Sequence, residues 1–438
     1  MNIFEKIFCR VYQFAFKVAL PILPYRKPTL LDSNESVAQL LKEKKIENVL
    51  IVTDATLVKL GVADALFDAL QGNQIKYSIY DKTKPNPTLE NIHEAVSVYK
   101  ENNCSAIIGF GGGSAIDCGK VVGACIARPN KKIEDMEGIF KVMKKTPLYI
   151  AIPTTAGTGS ETTLAAVITN PLTQEKFPIN DFFLIPDYAL LDPKTTVKLP
   201  KHLTATTGVD ALVHAVEAYI GNTTNKETRE YSIRAVKLIF ENLREAYNNP
   251  DNLEARKNML EASYWAGNAF TRSYVGYVHA LSHAVSGKYG TAHGLANSVF
   301  FLPVLEKYGA KIHKKLYELA LAAGICEEGE SYAQGARKFL NELRKLKRDL
   351  NIPSTLPEIK KEDIPQLAKT AAHEANPLYP VPILMDNKQL EDFYYEVMGE
   401  FYERARNQEY YRKTADFLFG RRNFINKISQ KSLEEAKR

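Results

Sequence analysis

One change of texture governs what this 438-residue chain can fold into. Up to about Pro200, short apolar runs alternate with helical stretches; beyond it, strand signals nearly vanish. The runs Asn48–Thr53, Ser105–Phe110 and Leu148–Ile152 predict buried parallel strands, and Ser33–Lys44, Asp64–Gln71 and Asn91–Lys100 predict helices near them. That alternation is α/β organisation. Helical periodicity then predicts helices at 204–220, 226–246, 253–271, 278–287, 294–308, 310–323, 331–350 and 363–373. No repeat of 34 to 45 residues runs through this half, so it reads as a helical bundle and not a solenoid. The expected fold is an N-terminal α/β domain, residues 28–199, followed by an all-α domain, residues 200–400.

Charge sets the two ends apart from this body. The formal net charge is +6. Residues 401–438 hold ten Lys/Arg against five Asp/Glu, a balance of +5, and residues 1–27 carry +4. Subtracting both leaves the intervening body at −3. Five cysteines, odd in number and without any CxxC, argue against a disulfide framework or a Cys-based zinc site and for a reducing cytoplasm. Lys17 interrupts the only candidate signal-peptide core, so export is not expected.

The N-terminal extension predicts an amphipathic helix ending at Pro21. Lys6, Arg10, Gln13 and Lys17 fall in one stripe, with Ile3, Phe4, Ile7, Phe8, Val11, Phe14 and Val18 opposite. A basic polar face beside a Phe-rich apolar face suits a membrane interface. The commoner fate of such an apolar face, and the slightly favoured one, is burial on the body or on another subunit. The C-terminal extension, 401–438, interleaves Arg404, Arg406, Arg412, Lys413, Arg421 and Arg422 with Tyr410, Tyr411, Phe417 and Phe419. An amphipathic helix on the body or on an anionic surface is preferred there to nucleic-acid binding.

Two loops carry chemistry in the first half. In Ser105–Lys120 a buried strand runs into Gly111-Gly112-Gly113-Ser114 and then a helix. Glycines allow close backbone approach to a phosphate, and the helix N-terminus offers free N–H groups to a pyrophosphate. The G-x-G-x-x-G spacing fails, because Ser114 stands where the third glycine would fall. A second loop, Pro153–Ser160, is rich in Thr and Gly and also follows a buried strand, where it can line the same crevice. Asp54 closes the Leu50–Asp54 run; its carboxylate suits the ribose hydroxyls of NAD, or equally a helix N-cap.

The sharpest signal is the histidines. Four of the eight lie within 80 residues: His214, His279, His283 and His293. Asp210 and His214 stand one helical turn apart, as do His279 and His283. One carboxylate and several imidazoles suit a first-row divalent ion such as Fe²⁺ or Zn²⁺. Spacing alone leaves open whether His279 or His283 is a ligand.

The segments GFGGGSAIDCGK, IPTTAGTGSE, TGVDALVHAVEAYI and VHALSHAVSGKYGTAHGLANS, in matching order across residues 30–400, together resemble the iron-dependent (group III) alcohol dehydrogenases. Lactaldehyde reductases and butanol dehydrogenases are nearest in appearance. The resemblance implies a dehydroquinate synthase-like fold: a dinucleotide-binding α/β domain, an all-α metal-binding domain, and a catalytic cleft between them. It implies Asp210, His214, His279 and His293 as ligands to Fe²⁺ (alternatively Zn²⁺), and His283 as a non-ligand near the nicotinamide. Asp54, Asn86, Gly112, Gly113, Ser114, Thr154, Thr155, Thr158 and Lys176 match NAD contacts, and Phe270 matches the substrate pocket. The implied reaction is hydride transfer between NAD(H) and a small primary alcohol or aldehyde, in a cytoplasmic homo-oligomer. The alternatives are a zinc-dependent polyol (glycerol-type) dehydrogenase, disfavoured by the ligand pattern, and a scaffold whose basic tails bind a membrane or partner subunits. The first 27 and last 38 residues have no counterpart in compact members of the family.

Overall fold

A computed structural model of the chain describes residues 1–171 and 175–399. The strands in chain order are β1 (Thr29–Leu31), β2 (Asn48–Val52), β3 (Lys76–Tyr80), β4 (Ala106–Gly111), β5 (Gly138–Ile139), β6 (Leu148–Pro153), β7 (Ala165–Asn170), β8 (Glu175–Asn180) and β9 (Tyr188–Leu190). Six of them form one all-parallel sheet in the order β1-β9-β6-β4-β2-β3. The predicted runs at 48, 105 and 148 are its centre, shifted by at most one residue at either end. They are near-continuous apolar stretches because helices cover both faces of this sheet, and every residue of β4 is buried.

Strand order places the functional crevice. From β2 the chain moves outward to β3, then returns to the other side of β2 to lay down β4. That reversal is where loops part and leave a crevice beyond the strands' C-terminal ends. Asp54 follows β2 there, and Gly112–Ser114 follow β4. Across the next pairing, Gly111 of β4 stands beside Pro153 of β6, so the Gly and Thr/Gly loops leave the sheet side by side.

A small second sheet, β5-β8-β7, joins antiparallel β7 and β8 with β5 parallel to β8. Sequence reading did not anticipate it, since β7 and β8 mix apolar and polar residues without strict alternation. Beyond Pro200 the chain is helical, as expected, with helices at Lys201–Ile220, Lys226–Asn248, Leu253–Ser273, Tyr277–Tyr289, His293–Tyr308, His313–Ala322, Tyr332–Asp349 and Ile364–Ala375. A further one, Asn387–Val397, was not foreseen. The middle of this half is the helix Lys201–Ile220, in which every residue from Gly208 to Ile220 is buried. A helix buried all round is normally apolar. This one carries Asp210, His214 and Glu217 inside, a cost that needs a compensating partner.

The N-terminal extension forms the expected helix, Ile3–Ala19, started by an Asn2/Glu5 capping box. Its orientation corrects one half of the favoured reading, burial on the body. The apolar face does not lie on the body: Phe4, Phe14 and their neighbours are exposed, while Cys9 and Gln13 are buried. Arg10 donates to the carbonyls of Val381 and Pro382, and Gln13 to those of Pro377 and Tyr379. The loop 377–382 contains three prolines, which supply no N–H, and its carbonyls take donors from this helix. Polar demand on the body turned the helix. Among the described residues no helix is long and apolar enough to cross a membrane. The predicted C-terminal extension, 401–438, lies outside the described residues.

Candidate metal centre and cofactor crevice

Three helices converge on one buried point. Asp210 and His214 come from Lys201–Ile220, His279 from Tyr277–Tyr289, and His293 opens His293–Tyr308. One potential ligand atom from each lies within 4.8 Å of all the others. Asp210, His214 and His279 are buried and His293 is half-buried.

Hydrogen bonds around the cluster settle which ring nitrogen is left for a ligand role. His279 Nδ1 is 2.6 Å from the Glu217 carboxylate, and its Nε2 is buried with no partner. A carboxylate holds the proton on Nδ1, so Nε2 is a bare acceptor. His214 Nδ1 faces the carbonyl of Gly157 at 3.3 Å, which places its proton there and leaves Nε2 as the acceptor. Asn297 donates to Asp210 Oδ1 at 2.6 Å and stands 3.0 Å from His293 Nε2. Glu217 is fixed in turn by the backbone N–H groups of Gly276 and Val278.

Burial dominates the electrostatics. It pushes Asp210 up to about 7 and Glu217 up to about 7, and it holds His214, His279 and His293 well below the usual imidazole range. Neutral imidazole is the ligating form. A buried bare acceptor, two more neutral imidazoles and a carboxylate make a donor set of three nitrogens and one oxygen. That set fits a first-row divalent cation such as Fe²⁺ or Zn²⁺.

His283 stands apart from the four. Its ring stacks on His293 at 5.0 Å, and its Nδ1 is 2.6 Å from Glu374, whose carboxylate also accepts from the Tyr379 hydroxyl. Burial works against its imidazolium, but Glu374 outweighs that and raises the His283 pKa. Phe270 stacks on His214 with ring centroids 4.1 Å apart.

The opposite wall is built from backbone. Gly112 caps the helix Gly113–Ala127 without any side-chain bond, so the first-turn N–H groups at Gly113 and Ser114 have no capping acceptor. That is the arrangement an anion takes. Thr154 N–H donates to Gly111, and a Cβ on Gly113 would stand 2.9 Å from Thr158, so the two loops touch. Thr155 lies behind Gly112. Asn86 donates its N–H to Ser114 Oγ. Asp54 caps the helix Ala55–Lys59, its Oδ1 accepting from Thr56 and Leu57. Lys176, on β8, is pushed down to about 8 by burial, and its charge is felt at His283 and His293. It therefore links the two walls.

Two family models divide the chain between them: "Iron-containing alcohol dehydrogenase" over residues 31–193 and "Fe-containing alcohol dehydrogenase family, C-terminal" over 204–398. The chain belongs to the iron-containing alcohol dehydrogenases. It is 38% identical over 339 residues to the NAD-dependent methanol dehydrogenase of Bacillus methanolicus, covering 77% of this chain and 89% of the relative. It is 34% identical over 335 residues to the lactaldehyde reductase of Escherichia coli K12, covering 76% and 87%. The crystal structure of a 1,3-propanediol oxidoreductase matches with a TM-score of 0.81 at 32% identity, over 85% of this chain and 99% of that one.

This alcohol dehydrogenase is thus a metal-dependent, NAD-dependent oxidoreductase of alcohols and aldehydes. Its site holds four residues that sequence reading did not single out. Glu217 had a signal: it lies three residues after His214 and seven after Asp210, on their helix face. Asn297 likewise follows His293 by one turn. Gly157 acts through its carbonyl and Glu374 comes from a distant helix, so neither carried a usable signal.

Proposed function

We propose that the dehydrogenase transfers a hydride between NAD(H) and a small primary alcohol or aldehyde beside a divalent ion held by Asp210, His214, His279 and His293. Residues 28–199 carry the cofactor and 200–400 the metal. The observation that carries this reading is the buried, partnerless Nε2 of His279 among three further donors. When bound, the metal supplies Lewis acidity to the substrate oxygen and the nicotinamide supplies or accepts the hydride. The chain's own residues do the rest. Glu217 and Gly157 hold the His279 and His214 rings so that Nε2 faces inward. Asp210 supplies the one negative charge among the four. Gly112–Ser114 seat the pyrophosphate at the helix N-terminus, with Thr154, Thr155, Thr158, Asn86 and Lys176 along the crevice, and Asp54 faces the ribose. Phe270 lies against His214 and lines the substrate side. His283, held at Nδ1 by Glu374, relays the substrate hydroxyl proton toward solvent through its other nitrogen.

All five cysteines are free thiols, which supports a reducing, cytoplasmic setting. Self-association belongs to the same reading: β1 is a three-residue edge strand with Leu30 44% exposed, and an open edge is a pairing surface. Light scattering of the purified chain tests it.

The activity is tested by anaerobic purification with metal analysis, then assays of NADH and NADPH against lactaldehyde, butanal and glycerol. A stoichiometric divalent metal and NADH oxidation with the two aldehydes are expected. Activity with NADPH alone overturns the role given to Asp54.

A further inference from the structure

The helix Ile3–Ala19 is turned inside out relative to an ordinary surface helix, and it lies outside both family models. Among the described residues sixteen large apolar side chains are exposed, and nine of them fall in the first 22 positions. Ile3, Phe4, Ile7, Phe8, Val11, Phe14 and Val18 are between 54% and 79% exposed, on one face of a single helix. The opposite face is locked to the body by the four hydrogen bonds from Arg10 and Gln13 to the 377–382 loop. Phe16 packs edge-on against Tyr274 at 4.9 Å and Leu20 is buried just beyond the helix. Rolling the apolar face inward would strip those bonds from buried or half-buried groups. An outward face this apolar marks an interaction surface.

We propose that this face is a membrane-interface anchor that seats in the headgroup region of an anionic lipid surface. Two observations select that occupant over a second copy or the chain's own C-terminal segment. Charge is the first. Lys6 and Lys17, in the stripe of Arg10 and Gln13, are exposed and border one side of the apolar face. Lys17 adds to a basic group of Arg229, Lys311 and Lys315, where burial and then the neighbouring cations, partly offset by Glu318, hold Lys315 down to about 8. A second copy brings the same charges, and the segment 401–438 is itself +5, so both repel where an anionic surface attracts. Rigidity is the second: the locked polar face leaves the helix lying along the surface with its apolar side presented, the pose of an interfacial helix.

The test is co-sedimentation of the full chain with vesicles of phosphatidylcholine alone and of 3:1 phosphatidylcholine to phosphatidylglycerol. Wild type, the triple variant F4S/F8S/F14S and the charge variant K6E/K17E are compared. Wild type is expected to partition at least tenfold better onto the anionic vesicles. The triple variant should lose at least tenfold of that, and the charge variant several-fold. NADH-dependent activity in solution should be the same in all three, since none of these residues touches the cleft, and this shows that the variants fold. Unchanged anionic binding of the triple variant, equal wild-type binding to both vesicles, or no sedimentation at all overturns the proposal. So does a wild-type mass by light scattering that halves in the triple variant, which would place the face between copies.

Discussion

The two walls of the cleft are built from different material. The wall proposed for the cofactor is backbone at strand ends: helix N–H groups at Gly113 and Ser114, and the Thr154–Gly111 bond joining its two loops. The metal wall is side chains alone, drawn from three helices and oriented by Glu217, Asn297 and the Gly157 carbonyl. A backbone wall tolerates loss of a side chain and fails when one is added. A side-chain wall fails when one is lost. Gly157 shows how tightly the walls are joined: a Cβ there would lie 2.5 Å from Thr207, on the helix that carries Asp210.

The strongest break of this contrast is His279→Ala. Loss of one ligand removes the metal and with it several kcal/mol of transition-state stabilisation, so kcat should fall on the order of 10³-fold or more. Metal analysis of the purified variant decides it; a full metal complement would sink the ligand assignment. Next comes Gly113→Ala, which adds an atom 2.9 Å from Thr158. Overpacking of ~1–3 kcal/mol predicts a rise in KM for NADH of roughly tenfold or more, with bound metal unchanged. Reversed outcomes, with metal lost in the glycine variant, would dissolve the distinction between the walls. Of comparable size is Glu217→Gln. It keeps the shape of the group on His279 Nδ1 but removes its charge, and such partners typically govern metal affinity by ~10–100-fold. Dialysis against a graded chelator series reads this directly, and affinity equal to wild type would reduce Glu217 to a packing residue.

The same contrast explains what could be read before the structure. The glycine turn of the first wall was legible because its information is local: strand, glycines and helix follow one another within Ser105–Lys120. The metal quartet was legible because i, i+4 pairs put two chemical groups on one helix face, and His293 was rare enough to stand out. The groups that orient the quartet were harder. Glu217 had only its place on the Asp210–His214 face to mark it, a weaker signal than a second histidine would give. Glu374 and the Gly157 carbonyl reach the site only through tertiary packing. Burial of the N-terminal helix on the body failed as an expectation for a related reason. Amphipathicity locates the two faces of a helix but not which one the body needs. Here the 377–382 loop, with three prolines, takes Arg10 and Gln13 as donors, and that outweighed burial of the phenylalanines.

The smallest expected effect bears on Asp54, where the two readings were evenly weighed. Its Oδ1 caps the helix Ala55–Lys59 through Thr56 and Leu57, so the capping role is visible in the structure. The ribose role is separable, because Asn caps a helix about as well as Asp whereas Ala costs ~1 kcal/mol. Asp54→Asn should therefore leave thermal stability unchanged, while Asp54→Ala lowers it slightly. If the carboxylate also faces the ribose, both variants lose its hydrogen bond and its repulsion of a 2′-phosphate. The ratio of kcat/KM for NADH over NADPH should then fall several-fold in both, with metal content untouched. A ratio that stays constant in Asp54→Asn confines Asp54 to capping and moves cofactor selection elsewhere along the backbone wall.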